Sequence, residues 1–247
     1  MNPEEYSNLA RIETRHWFYV GKREIVRHWI QQFHPLKPEH CLADCGAGTG
    51  EFAVEMSPHC RVIAVDDYPE SLQLLRERLG ELRVRKGSCA KLPLEADSVD
   101  VLTALDVVEH IENDRAALAE FLRVLKPGGL CIITVPALMS LWSDWDVTLR
   151  HFRRYTRQSL LTLVPGGFEV LHVNYVNVVV LPLVWGVRKW RAFKQKLGLK
   201  TTRRSEDSIP FALLNELLRR LFVGLACQRK LSFPAGVGLI AVLRKKS

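Results

Sequence analysis

Apolar positions along the chain change period several times, and each change predicts an element. Ile25, Trp29 and Phe33 recur at spacings of four, which predicts an amphipathic helix over residues 19–33, broken by Pro35 and Pro38. His40 to Asp44 is a short apolar run that stops at a glycine-rich turn, Gly46-Ala47-Gly48-Thr49-Gly50, and a helical stretch follows through Phe52, Ala53 and Met56. Arg61 to Val65 predicts the next strand, ending at Asp66-Asp67. Pro69 then opens a helix with Leu72, Leu75 and Leu79 on one face and Gly80 at its end. Val99 to Leu105 reads as a buried strand. Leu118, Phe121, Leu122 and Leu125 return to helical spacing and stop at Lys126-Pro127-Gly128-Gly129, and Leu130 to Val135 is a further strand. Phe168–Tyr175 and Gly236–Leu243 predict two last strands, separated by an apolar and basic insertion at about 177–235. A β-α-β-α rhythm of this kind predicts a parallel sheet with helices on both faces.

Composition narrows the class. The 247 residues are 47% hydrophobic with 15 Gly and 12 Pro, which excludes a disordered or fibrous chain. Six cysteines without a CxxC pair or regular spacing argue against a disulfide scaffold or a zinc ribbon, so no metal site and a reducing, cytoplasmic setting are expected. Met1 to Arg15 is acidic and lacks an apolar run, so no signal peptide is expected. Val170 to Val187 carries no charged side chain, but two Asn, one His and Pro182 make it a poor membrane span. The net charge of +8 conceals an asymmetry: residues 1–150 hold 17 Lys+Arg against 23 Asp+Glu, whereas residues 151–247 hold 18 against 4. That basic segment points to an anionic partner or to a solvated cationic surface.

The first chemical signal is the glycine turn. A strand ending at Asp44 and followed by Gly46, Gly48 and Gly50 lets the backbone approach a ligand closely, and Asp66, at the end of the second strand, can take both hydroxyls of a ribose. Together these indicate a nucleoside cofactor. A dinucleotide fold wants a small third residue where this chain has Glu51, which disfavours an NAD-dependent oxidoreductase.

Asp44-x-Gly46-x-Gly48-x-Gly50 resembles the first motif of the class I methyltransferases that use S-adenosylmethionine. Gly87 to Pro93 resembles the family's G-D-A-x-x-L-P segment, Leu105 to His110 its V-L-E-H element and Leu125 to Gly129 its L-K-P-G-G turn, all in the family's order over about residues 40–136. Glu13, His16, Trp17 and Phe18 before this core, and His151, Arg153, Arg154 and Tyr155 after it, look like a bacterial branch of the superfamily. The resemblance implies a Rossmann-like seven-stranded, mostly parallel sheet with the last strand antiparallel. It divides the chain into an N-terminal helical lid (1–38) and a methyltransferase domain (39–247). It also implies S-adenosylmethionine as cofactor: Asp44 and Gly46 at its methionine end, Asp66 on the ribose, Asp67 beside the adenine. Ser88 stands where the family usually has Asp, the Cys89 backbone meets the ring, and Leu105 and Asp106 pass beneath the methionine amino group.

Transfer to an oxygen acceptor needs a base, and Asp146 and His151 are the candidates on the carboxyl edge of the strands. Arg153 and Arg154 either grip an anionic acceptor or pair with neighbouring acids. Trp17 and Phe18 cover the cofactor or pack in the core. The insertion holds Val178 to Trp185 followed by Arg188, Lys189, Arg191, Lys194 and Lys196, and then Phe211, Leu214, Leu218, Leu221, Phe222 and Leu225 on one helical face. This pattern suits a helix in an anionic membrane surface and a small-molecule or lipid-linked acceptor, or else a lid or dimer surface. An RNA methyltransferase or nucleic-acid-binding protein is the alternative, weakened by the absence of an aromatic-rich RNA-binding pattern. Acceptor atom, pathway and oligomeric state are not legible.

Overall fold

The computed structural model describes residues 9–196 and 209–247. Its elements are α1 (Trp17–Phe33), β1 (Cys41–Cys45), α2 (Glu51–Met56), β2 (Arg61–Asp66), α3 (Pro69–Leu79), β3 (Val84–Lys86), β4 (Val99–Leu105), α4 (Asp114–Val124), β5 (Leu125–Pro136), α5 (Asp144–Thr148), α6 (Arg157–Leu161), β6 (Phe168–Val176), α7 (Leu181–Lys196), α8 (Ala212–Ala226) and β7 (Gly238–Lys245). The strands form one sheet in the order β3-β2-β1-β4-β5-β7-β6. All pairings are parallel except those of β7, which runs antiparallel to both β5 and β6. The expected fold is the observed one.

Side-chain alternation along the strands splits the core in two. Leu102, Cys131, Ile133, Ala241 and Leu243 face α4, meeting Leu118 and Phe121. Leu42, Val62, Val101, Ile132 and Val242 face the other way, onto Ile25, Val26 and Trp29 of α1 and Leu72 and Leu75 of α3. Trp29 is fully buried and stacks on the His172 ring of β6 at 4.2 Å. Burial, and the nearby Arg157 and Arg229, push that imidazole down to about 4.

Helix α1 is therefore a layer of the core as well as a flank of the site. It also docks on α8: Phe222 meets Trp17 edge-on and Phe18 face-on, both at 5.7 Å between centroids. Asn215 receives the Trp17 N–H at 2.9 Å and donates to the Arg15 carbonyl. Gly21 makes the approach possible, since a Cβ there would lie 2.8 Å from the Phe222 ring. The other face of α8 and most of α7 stay exposed, including Leu183, Trp185, Trp190, Phe193, Leu213 and Leu217. No helix among the described residues is long and apolar enough to cross a membrane. Of the insertion's cations, Arg191 and Lys196 have side chains outside the described set, and Arg188 is buried rather than solvated.

Candidate functional site

Parallel strands β1, β2, β4 and β5 deliver their carboxyl ends to one edge of the sheet, and the loops that follow them build the site. After β1 the chain turns through Gly46, Gly48 and Gly50, all at positive φ (68°, 56° and 81°). A Cβ on Gly46 would lie 2.5 Å from Val107 and one on Gly50 2.5 Å from Leu75, whereas nothing stands within 4 Å of a Cβ on Gly48. Two glycines are thus required by packing, and the third faces open space.

The acids here are held by short contacts. Asp44 is buried and takes the Thr103 hydroxyl at 2.7 Å; burial, with Asp66 adding repulsion, pushes its carboxyl up to about 7. Asp66 accepts the Gly48 N–H at 2.8 Å and the Tyr68 N–H at 2.9 Å, which ties the end of β2 to the glycine turn. Burial raises its pKa against those two bonds. Asp67, next along, is exposed. Ser88 is exposed and its hydroxyl accepts the Ala90 N–H at 3.2 Å, while Cys89 is buried behind it. All six cysteines are free thiols.

At the end of β4, Asp106 adopts a positive φ of 56° and takes the Thr134 hydroxyl at 2.9 Å, with Leu105 half-buried beside it. Its other oxygen pairs with Lys22 of α1. Burial works to raise the Asp106 pKa, but the Lys22 ammonium and its hydrogen bond hold it below the ordinary value. Lys22 also lies 4.3 Å from the Phe18 ring centroid. Glu13 reaches the glycine turn from the same side, its carboxylate taking the Thr49 hydroxyl. Sequence reasoning missed Lys22 as a site residue, because one lysine on an amphipathic helix looks like any solvated cation.

Beyond Asp106 the floor is made by a second constellation. Asp146 is fully buried: its carboxylate takes the Arg154 Nε at 2.7 Å, the His151 Nδ1 at 2.9 Å and the Ser143 N–H at 2.9 Å, and Arg188 of α7 lies 3.8 Å away. Burial disfavours the charge, yet His151 and Arg154 pull the pKa to about 2. A carboxylate so ionised only accepts, so Nδ1 of His151 donates to it, and Nε2 is the ring nitrogen that Asp146 does not engage. The two residues named as candidate bases therefore sit together, with Asp146 behind His151 and occupied from every side. Arg154 is the buried partner of Asp146, and Arg153 pairs with Asp114 at 2.6 Å, so both arginines neutralise acids of this chain.

The Nε2 side of His151 faces Glu109, 4.0 Å from Oε1. Glu109 is fully buried and neither carboxylate oxygen has a hydrogen-bond partner. Burial, then repulsion from Asp106, raises its pKa well above the ordinary range. The His110 ring lies 4.7 Å from that of His151, and burial and this neighbour push its pKa down to about 4. Ligand atoms of Glu109, His110 and His151 lie within 4.8 Å of one another, a cluster that no sequence spacing announced. A separate groove of about 430 Å³, lined by Pro38, Ser57, Arg61, Arg83 and Arg85, lies at the start of β2, away from this edge.

Comparison with known proteins fits this geometry. Residues 43–133 match the family of methyltransferase domains. The chain is 32% identical over 162 residues to a probable S-adenosylmethionine-dependent methyltransferase of Mycolicibacterium smegmatis, covering 64% of this chain and 61% of that protein. It is 32% identical over 99 residues to the demethylmenaquinone methyltransferase of Chlorobaculum parvum, covering 39% and 41%. The matched stretches span about two fifths to three fifths of the length of the curated relatives. Among solved structures, an S-adenosylmethionine-dependent methyltransferase of Thermotoga maritima superposes with a TM-score of 0.62 at 19% identity, covering 98% of this chain and 96% of that one, a likeness of fold.

Proposed function

Since the chain belongs to the class I S-adenosylmethionine-dependent methyltransferases, we propose that it methylates an acceptor with an apolar body, small or lipid-linked, which it meets at an anionic membrane surface. The residues at hand suit the cofactor: Gly48 leaves open space, Asp66 at the strand end would take the ribose, and Asp44 and Asp106 would stand beside the positively charged amino group. Asp67, Ser88 and the Cys89 backbone would border the adenine, and Gly46, Gly50 and Leu105 would shape the cradle. Bound there, the cofactor supplies an electrophilic sulfonium methyl. The protein's part is to align a nucleophile, exclude water and take up its proton. In this reading His151 Nε2 takes the proton and Asp146 fixes the ring. Lys22 and Glu13 hold the N-terminal segment against the site as its cover.

The observation that carries the membrane part is the bond from Arg188 of α7 to the Leu141 carbonyl, which ties the insertion to the wall that holds Asp146 and His151. Outward from it α7 exposes Trp185, Trp190 and Phe193, with Lys189 and Lys194 each within 6 Å of a tryptophan ring centroid. Aromatic rings bordered by cations suit a headgroup interface. The demethylmenaquinone methyltransferase relative, whose name implies an apolar acceptor, supports the same class. The test is sedimentation with vesicles. The protein is expected to pellet with anionic lipid at low salt, less so at high salt, and less after Trp190→Ala. Recovery in the supernatant throughout sinks the membrane reading, and calorimetry that finds no S-adenosylmethionine binding sinks the enzymatic one.

A further inference from the structure

Glu109, a carboxylate with no exposed surface and no hydrogen-bond partner on either oxygen, is costly, whether it is ionised or holds a proton it can donate to nothing. Something that binds it stabilises the fold. Its neighbours are two imidazoles, His110 and His151, and the atom of His151 that faces it is Nε2, the ring nitrogen that Asp146 does not engage. The other ring nitrogen of His151 is held by Asp146 at 2.9 Å, the arrangement in which a buried carboxylate orients a metal-bound histidine and strengthens its donor nitrogen.

We infer that Glu109, His110 and His151 form a binding site for one divalent transition-metal ion, with Asp146 as the residue that positions His151. Two nitrogen donors and one carboxylate match the His₂Glu set of open zinc sites and the related iron and manganese sites; an oxygen-preferring ion such as Mg²⁺ is disfavoured. Donor atoms around one zinc ion lie about 3.3 Å apart, so the present cluster closes by side-chain shifts of about 1 Å. Three protein ligands leave a position open. Binding of the ion rests on these residues alone; its role, holding an acceptor oxygen where His151 would otherwise take a proton directly, rests on the methyltransferase reading.

A second cluster, His34, His40 and Asp100, serves as the contrast. There the carboxylate already takes the Cys41 N–H at 2.8 Å and the Lys126 ammonium at 2.8 and 2.9 Å, so it has no need of an ion.

The experiment strips the full-length protein with a chelator and titrates it with Zn²⁺, Mn²⁺ and Mg²⁺ by calorimetry. One Zn²⁺ or Mn²⁺ per chain is expected, with an X-ray absorption shell of nitrogen and oxygen. Glu109→Gln and His151→Gln should each weaken binding by at least about a hundredfold, and Asp146→Asn by about 10–100-fold. His34→Gln should change nothing. Glu109→Gln replaces an unpaired buried carboxyl by an amide of the same shape and is expected to fold; should it fail to, His110→Gln and the absorption shell of the wild type decide. No stoichiometric uptake, sulfur in the shell, or affinity moved by His34→Gln rather than by the three ligands overturns the site. S-adenosylmethionine affinity, measured on the same stripped protein, is expected to persist, so loss of the metal site and loss of the methyltransferase reading are told apart.

Discussion

Asp44 and Glu109 stand at the ends of neighbouring stretches of one sheet edge, both buried, and they are treated in opposite ways. On the cofactor side Asp44 receives the Thr103 hydroxyl and Asp66 receives two backbone N–H groups, so these two acids are satisfied locally before any ligand arrives. On the acceptor side Asp146 has taken up the available donors, His151 and Arg154, and Glu109 is left with none. The first half is shaped by backbone turns and needs a ligand only to fill it. The second is a charge arrangement that is balanced at Asp146 and unbalanced at Glu109.

Removing Asp146 is expected to have the largest effect. Asp146→Ala takes from the buried Arg154 guanidinium the carboxylate that balances it and should cost about 3–5 kcal/mol in chemical denaturation. A loss below about 1 kcal/mol would mean that the acceptor wall relaxes freely and the contrast with the cofactor half is false. Next is the pH dependence set by Asp44. Its folded pKa, about 7, lies above an unfolded value near 3.8, so the folded state holds the proton more tightly. The stabilisation is complete below about pH 4 and is lost as pH rises through about 7, a change of up to about 4 kcal/mol. Asp44→Asn should flatten this slope in melts across that window; an unchanged slope would assign it to other groups.

Gly46→Ala combines a positive φ with a collision against Val107 and should cost about 2–4 kcal/mol, whereas Gly48→Ala, strained only in its backbone, should cost about 1–2. Equal losses would show that packing does not separate the two glycines. On binding rather than on folding, Asp66→Ala is expected to weaken S-adenosylmethionine affinity by about 1.5–3 kcal/mol, at least about tenfold, in calorimetry. Equal affinity for the variant would remove Asp66 from the cofactor site.

The same contrast explains what could be read from the residues alone. Strand periodicity and the punctuation at Gly50, Gly80 and Gly128 located six strands and their flanking helices, because each reports a local conformation, but not the short β3, α5 and α6, and β5 begins at Leu125 rather than at Leu130. The glycine turn and Asp66 were legible for that reason: a ribose acid must stand at a strand end and a tight turn must be glycine. Nothing local marks Lys22, which reaches Asp106 across 84 positions, or brings Glu109-His110 to His151. Asp146 was recognised as chemically important and assigned as a base, but the Ser143 cap and the guanidinium of Arg154 that fill its oxygens come from the folded loop. The sequence pattern groups Arg188 with the cations that border the apolar patch of the insertion, and only the position of α7 beside Leu141 buries it.

Strand β6 occupies the edge of the sheet and its one strand partner is β7, which begins some sixty residues later in the chain. On a ribosome adding about 5–20 residues per second, β6 leaves with no strand to pair with for roughly 3–12 s, while the whole insertion is made. Neither Tyr175 nor Val176, both buried in the finished sheet, can settle before Leu239 arrives opposite Tyr175. The aromatic helices α7 and α8 thus emerge ahead of the strand that locks the edge, and the nascent chain presents Trp185, Trp190, Leu213 and Leu217 before its sheet is closed.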